Sequence, residues 1–234
     1  MKLIATAAVI AACCLPMGHS IAQQEEQPVP ILQAPFHLPV FRNEYITLLN
    51  VNVPPGKTTG YHIHTGDSVS VNIGAADMTN QDFGSNAVSA PQRGEPGRVS
   101  YADYRKASKT HKAVNVGTTT FHNISFIFNS PTPWHLTPGS RDHKAGYTQV
   151  IDNERVRGWR LILEPGQSAA AITQQSPGIR IVVSGGDIVE SVPGRADRPM
   201  QPHTGEFFWQ DAPITREVRN VGNTRVELVE FELK

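Results

Sequence analysis

The chain has 234 residues, with 19 glycines, 18 prolines and a charged fraction of 18%. Lysine plus arginine equals aspartate plus glutamate at 21 each, so the charge balance favours neither nucleic acid nor a charged membrane surface as a partner. We expect no binding to either class. The high content of glycine and proline favours many turns and short strands over long helices.

The first 22 residues predict an export signal. Lys2 is followed by the apolar run from Leu3 to Leu15, which is too short to span a bilayer. Small residues then precede Gln23, so we expect cleavage between Ala22 and Gln23 and a periplasmic or secreted protein. An alternative is a lipoprotein signal with the anchor at Cys13. Both cysteines of the chain lie in this segment, so the mature protein is expected to lack disulfides and thiol chemistry.

An internal repeat follows the signal. Short motifs recur 110 residues later over the first part of the repeat and 105 residues later over the rest, and three pairs of motifs show this. They are Pro55-Gly56 with Pro165-Gly166, Asn43-Glu44 with Asn153-Glu154, and Asn115-Val116-Gly117 with Asn220-Val221-Gly222. The repeat predicts that one structural unit was duplicated within the chain.

Apolar residues alternate with mostly polar ones in each copy, which predicts half-buried antiparallel strands. In the first copy they are Leu49, Val51 and Val53, then Val69, Val71 and Ile73, then Ile124, Phe126 and Phe128. Such strands must close to bury one face, and we expect these sets to face inward. The predicted fold is all-β, with two tandem β-barrels or jelly rolls. The expected ranges are a lead-in over 23–40, barrel one over 41–128, a linker over 129–147 and barrel two over 148–234.

Three histidines of the first copy predict a metal site. His62 and His64 are two apart on a predicted strand, so their imidazoles share a face, and His111 comes from a distant strand. Asp67 is two residues before Val69, so we expect its side chain on the same face of the chain as Val69, which makes it a candidate fourth ligand. Imidazole and carboxylate suit one divalent ion of iron, manganese, nickel or zinc.

The second copy supports this interpretation. It places Ile172, Gln174 and Arg216 where the first copy has its three histidines. Because the framework is kept while all three histidines differ together, a ligand role explains them better than a role in packing. We therefore expect a metal in barrel one only. Arg216 is expected either to contact an anion or to form an internal ion pair.

These residues resemble the motifs of the cupin superfamily. Gly56, five residues, then His62-Ile63-His64 followed by Asp67 is similar to the first cupin motif, and His111, three intervening residues and then Asn115 are similar to the end of the second. Both copies of the repeat share the resemblance and together span most of the mature chain, so the whole resembles a bicupin. It implies a metal held by the three histidines. The usual glutamate is absent, with Asp67 slightly early in its place, and so is the usual Pro-x-Gly before His111.

Three classes of function remain open from the sequence. One is a metal-dependent enzyme acting on a small molecule, with a dioxygenase-like oxidoreductase placed before a lyase or isomerase. The second is a barrel that binds a small acid or sugar without catalysis, and the third is a structural barrel with a vestigial site. His122 has the parity of Ile124 and is expected at the rim of the first pocket. Open sheet edges make a homodimer a further expectation.

Overall fold

A computed structural model describes residues 26–234. The predicted signal over 1–22, with Cys13 and the expected cleavage point, lies outside the described residues. The described part consists of strands joined by turns and one short 3-10 helix at Ile31–Gln33. None of its helices is long and apolar enough to cross a membrane.

The first half of the chain forms two five-stranded sheets, with the strand orders β1-β4-β9-β6-β7 and β2-β3-β10-β5-β8. Its strands are β1 (Val29–Pro30), β2 (His37–Arg42), β3 (Ile46–Val53), β4 (His62–His64), β5 (Ser68–Asn72), β6 (Asp77–Asp82), β7 (Gln92–Arg93), β8 (Val99–Ala102), β9 (Lys109–Asn115) and β10 (Phe121–Phe128). Nearly all pairings are antiparallel. The exception joins β1 to β4 in parallel, with Val29 opposite His62.

The second half repeats this plan with a five-stranded sheet, β11-β12-β19-β14-β17, and a four-stranded one, β13-β18-β15-β16. Its strands are β11 (Tyr147–Asp152), β12 (Val156–Leu163), β13 (Ile172–Gln174), β14 (Gly178–Ser184), β15 (Ile188–Ser191), β16 (Arg198–Met200), β17 (Phe207–Gln210), β18 (Ile214–Asn220) and β19 (Val226–Leu233). Every sheet of the described residues draws its strands from one half of the chain. The all-β, two-barrel fold predicted from the sequence is confirmed.

Strand registers reproduce the offsets of the sequence repeat. In the first barrel Phe126 of β10 pairs with Leu48 of β3. In the second barrel Phe231, 105 residues after Phe126, pairs with Gly158, 110 residues after Leu48. The repeated Pro-Gly turns also correspond, because Gly56 and Gly166 both adopt positive φ, at 72° and 79°. L-residues with a Cβ rarely adopt that conformation, so glycine is required after each proline.

The largest core lies between the barrels. The sheet that contains β3 and the sheet that contains β12 both contribute to one cluster of buried side chains. In this cluster the ring centroids of Phe126 and Phe231 are 5.3 Å apart. From the first half the cluster contains Ile46, Leu48, Val69, Val71, Ile73, Ile124, Phe126 and Phe128. The prediction that the sets at 69–73 and 124–128 face into their own barrel is therefore wrong. Those residues face the other barrel.

Each barrel interior has a smaller core of its own. Leu49, Val51, Val53 and Met78 pack inside the first barrel. In the second barrel the interior cluster consists of Leu161, Leu163, Ala169, Val182, Ile188, Val218, Val226 and Leu228. The first interior therefore has fewer buried apolar residues than the second, which leaves space for a cavity.

Parts of the predicted lead-in and linker belong to the barrels. Strands β1 and β2 from the lead-in pair with β4 and β3. From the linker, the guanidinium of Arg141 is fully buried and forms ion pairs with Glu230 and Glu232. Strands β1 and β2 therefore extend the two sheets of the first barrel at their edges, and the linker packs against the second barrel through Arg141.

Candidate metal centre

Antiparallel pairing of β4 and β9 brings the three histidines together. His62 is directly opposite His111, and His64 lies two residues further along the same strand, so all three side chains project from one face. One ring nitrogen from each lies within 4.8 Å of the others. Within residues 26–234, no other group of three or more His, Cys, Asp or Glu residues has this geometry.

Hydrogen bonding orients the first imidazole. Nδ1 of His62 donates to the carbonyl oxygen of Gly60 at 3.0 Å, which fixes the proton on Nδ1 and leaves Nε2 free to act as a ligand. Gly60 has a φ of 63°, and a Cβ there would lie 2.7 Å from Oε1 of Glu26. Glycine is thus required where the chain turns to present the carbonyl.

The second and third imidazoles face one another directly. Nε2 of His64 lies 3.1 Å from Nε2 of His111. Two nitrogen ligands that each bind one ion at about 2.1 Å are separated by about this distance. The Nδ1 atom of His111 is buried and has no hydrogen-bond partner among the described residues.

All three imidazoles are neutral at pH 7. Burial lowers the pKa of His64 to about 3, and the neighbouring His62 and His111 lower it further. Burial is also the main reason that the pKa of His111 falls to about 3 and that the pKa of His62 is lowered. Neutral imidazole is the form that binds a transition metal. The three converging nitrogens therefore fit a divalent ion of the zinc or iron type.

Asp67 lies outside this group. Its carboxylate accepts a hydrogen bond from the backbone N–H of Arg105 at 2.9 Å and lies 3.8 Å from the Nε of the same residue. The sequence interpretation gave Asp67 the parity of Val69, and Val69 faces the second barrel rather than the interior. Asp67 shares a face with Val69, as expected, but that face is turned away from the imidazoles.

Two residues that the sequence interpretation left aside lie beside the histidines. The ring centroid of His37 is 4.8 Å from that of His62, and burial lowers the pKa of His37 to about 4. The ring of Tyr104 lies 4.5 Å from that of His64, and burial raises its pKa. His37 comes from the predicted lead-in, and only the pairing of β2 with β3 brings it here.

A cavity of about 470 Å³ opens in front of the imidazoles. His37, Tyr104 and the three histidines lie in its wall. Strands β5 and β10 also line it, with the small polar side chains of Ser68, Ser70, Asn72, Asn123 and Ser125 and the apolar ones of Phe121 and Ile127. These residues alternate with the apolar ones that face the second barrel. The cavity therefore has both polar and apolar wall surface, is large enough for a small molecule, and is bordered by the imidazoles.

His122 is not at the rim of this cavity. Its Nε2 lies 3.0 Å from Oδ1 of Asn50, and a Cβ added at Gly205 of the second barrel would lie 2.5 Å from its ring. The expectation of a rim position is therefore wrong. His122 does share the parity of Ile124, but that face of β10 is covered by the second barrel.

The second barrel replaces the imidazoles with an ion-pair network. Ile172 is opposite Arg216, in the register that His62 and His111 have in the first barrel. Arg216 donates to Oε1 of Gln174 at 2.9 Å and to Oε2 of Glu230 at 3.0 Å. Of the two alternatives for Arg216, the internal ion pair is present.

Comparison with known proteins identifies the fold. No protein-family model matches the sequence, and no curated protein matches it either. Among solved structures, AerE from Microcystis aeruginosa matches with a TM-score of 0.55 at 11% identity, covering 86% of this chain and 98% of that one. Oxalate decarboxylase from Lactobacillus farciminis, in a formate complex, has a TM-score of 0.54 at 11% identity and coverages of 81% and 77%.

A further match is salicylate 1,2-dioxygenase from Pseudaminobacter salicylatoxidans, with a TM-score of 0.53 at 12% identity and coverages of 81% and 71%. A cupin 2 conserved barrel domain protein from Leptotrichia buccalis matches at 0.51 and 9% identity, covering 84% and 88%. At such identities the similarity establishes the fold alone. The described chain therefore has the fold of a bicupin, with three imidazoles gathered in the first of its two barrels.

Proposed function

We propose that the protein is a metal-dependent enzyme that acts on a small molecule in the first barrel, as a dioxygenase-like oxidoreductase. The observation that carries this proposal is the convergence of His62, His64 and His111 on one point in the wall of a cavity. A purely structural site would be closed by a fourth protein ligand, whereas a three-histidine site leaves positions for water or substrate.

The residues around the imidazoles have distinct roles in this proposal. The three histidines would hold a divalent iron, manganese, nickel or zinc ion, which when bound supplies Lewis acidity and, for iron, redox chemistry. Ser70, Asn72 and Asn123 in the cavity wall provide hydrogen-bonding groups that orient a polar substrate. Tyr104 covers one side of His64 and limits access of water.

Metal content is the first test. We expect close to one equivalent of a transition metal in protein purified without a polyhistidine tag, measured by plasma mass spectrometry. His62→Ala and His111→Ala should lose it while keeping the far-UV circular dichroism of the parent. His203→Ala is the matched control, because that imidazole is exposed in the second barrel and pairs with Glu206. Retention of metal by both site variants would refute the assignment.

The reaction class is tested by oxygen uptake. Two of the structures with the same fold are a salicylate 1,2-dioxygenase and an oxalate decarboxylase, so hydroxylated aromatic acids and oxalate are the first compounds to assay. An oxidoreductase of the proposed type consumes oxygen only with the metal-loaded parent and not with His111→Ala. Carbon dioxide release from oxalate without oxygen uptake would instead support a lyase.

We also propose that the protein is exported by the segment that ends at Ala22. The support is the apolar run after Lys2 and the small residues before Gln23. The intact mass of the protein from a periplasmic extract should correspond to a chain that begins at Gln23. A mass that includes a lipid on Cys13 would support the lipoprotein alternative.

A further inference from the structure

We propose that the second barrel contains a metal-free site for a small organic carboxylate. A cavity of about 550 Å³ opens at the place that corresponds to the metal centre of the first barrel. Gln174 and Arg216, the counterparts of His64 and His111, both line it. The duplicated barrel thus keeps a cavity at this position while its chemistry has changed from imidazole to guanidinium.

Positive charge dominates the wall of this cavity. Four of the five charged residues that line it are arginines, and Glu190 is the exception. Arg180 and Arg216 are buried, and Arg195 and Arg198 are exposed. Guanidinium groups bind carboxylates through two parallel hydrogen bonds, which makes a carboxylate the preferred ligand of such a wall.

An internal network of ion pairs explains only part of this arrangement. In this network three buried arginines, Arg141, Arg180 and Arg216, are matched by three buried glutamates, Glu190, Glu230 and Glu232. The two arginines at positions 195 and 198 are additional. Arg198 approaches Glu190 at 3.5 Å, and Arg195 forms no ion pair within the described part of the chain. The cavity therefore has more positive charge than its own carboxylates neutralise.

The two buried arginines that line the cavity each have a guanidinium nitrogen without a hydrogen-bond partner in the part of the chain that the structure describes. Arg180 donates from Nε to Glu230 at 2.7 Å and from Nη1 to Glu190 at 3.0 Å, but its buried Nη2 has no hydrogen-bond partner among residues 26–234. Nε of Arg216 also lacks one, with Glu190 3.8 Å away. Both nitrogens have almost no accessible surface and so face the packed interior, and the guanidinium groups that a ligand in the cavity can reach are the exposed ones of Arg195 and Arg198.

An apolar surface borders the charged one. Phe208 and Ile214 line the same cavity, and Phe208 also packs against the interior core of the barrel. The combination suits an anion with an apolar body, and benzoate is a simple probe because it joins one carboxylate to a flat ring. Benzamide has the same shape without the charge and is the matched neutral compound.

Isothermal titration of the full-length mature protein with benzoate tests the site. We expect one saturable site for benzoate and none for benzamide. Replacing both exposed arginines, as Arg195→Gln with Arg198→Gln, should weaken binding by about tenfold or more, the loss expected for charge-assisted hydrogen bonds. Arg157→Gln is the control, because that arginine is partly exposed and pairs with Asp152 away from the cavity.

Binding through the first barrel is excluded by a further variant. His111→Ala removes a proposed metal ligand and should leave benzoate binding unchanged, whether or not the enzyme proposal holds. Absence of saturable binding, equal binding of benzamide, or an affinity that the double arginine substitution does not alter would overturn the inference. Loss of binding in His111→Ala would place the carboxylate at the metal centre instead.

Discussion

At the scale of single residues, the two halves of the chain use buried polar groups differently. In the first barrel the three imidazoles are neutral and converge on one point in a cavity wall. In the second barrel burial opposes the ionisation of Glu230, but Arg216, Arg180 and Arg141 outweigh it and hold its pKa well below the ordinary value. One backbone register thus supports a ligand-binding cluster in one copy and a charged network in the other.

Asp67 provides a test of the metal ligand set. Asp67→Asn keeps an acceptor for the backbone N–H of Arg105 but removes the charge that faces its guanidinium. We expect unchanged metal content and a free energy of unfolding lower by about 1–2 kcal/mol, from the weakened charge-assisted bond. Metal analysis and urea unfolding measure the two quantities. Loss of the metal at unchanged stability would make Asp67 a ligand after all.

Glu230 makes stability dependent on pH. Its pKa is depressed in the folded state, so it contributes stability that is fully present above its unfolded pKa of about 4.3. That contribution is lost as the pH falls from there towards the lower folded pKa. We expect urea midpoints to drop steeply below about pH 4.3, and Glu230→Gln to be destabilised by about 3–5 kcal/mol at pH 7.

The control for this measurement is Glu164→Gln, because Glu164 is exposed and pairs with an exposed arginine. It should be within about 0.5 kcal/mol of the parent at pH 7. The difference between the parent and Glu230→Gln should shrink as the pH falls. A difference that is constant between pH 7 and pH 3 would show that ionisation of Glu230 does not matter for folding.

At the scale of strands, the sequence predicts periodicity well but not which face is internal. Leu49 and Val51 face the interior while Leu48 of the same strand faces the other barrel, so both faces of β3 are apolar. On β5 the polar residues Ser70 and Asn72 line a cavity. Polar residues beside a water-filled cavity and polar residues on an outer surface give the same alternation, because both contact water.

The pair of histidines on β4 was predictable because residues two apart on a strand share a face. His62 and His64 share a face whichever way that face points, and the repeat identified His111 as the position that varied with them. His37 could not be predicted, because its place depends on the pairing of β2 with β3 and no local pattern specifies that partner. The ion pairs of Glu230 likewise depend on Arg141, which is 89 residues away in sequence.

The contact between Phe126 and Phe231 tests the core that joins the barrels. Both rings are fully buried, so each substitution to alanine should lower the free energy of unfolding by about 3–5 kcal/mol. Because the rings touch, the double variant should lose less than the sum of the single losses. Urea unfolding of the four proteins gives the coupling. The exposed Phe83→Ala is the control, and a strictly additive double variant would contradict a direct contact.

At the scale of the whole molecule, the barrels share a core that neither has alone. Val69, Ile124 and Phe126 of the first barrel are buried by residues such as Val229 and Phe231 of the second. A fragment of residues 26–131 would therefore expose an apolar sheet. We expect it to self-associate and to bind a hydrophobic dye, as measured by light scattering and fluorescence.

Adding the complementary fragment is the control for that experiment. Residues 132–234, produced in the same cell, should restore a soluble one-to-one complex that does not bind the dye. A monomeric 26–131 fragment that stays soluble alone would show that the barrels fold independently. The expected homodimer of the full chain stays a prediction, and light scattering of the intact protein at several concentrations measures it.

The contact between Phe126 and Phe231 has a consequence for the internal symmetry of the molecule. These residues are equivalent positions of the two copies, and they meet each other across the shared core. A residue that contacts its own counterpart is the mark of an isologous interface, which arises when identical subunits associate about a twofold axis. The two barrels of this single chain therefore meet as the subunits of a symmetric dimer would, with the equivalent strands β10 and β19 contributing to one shared core.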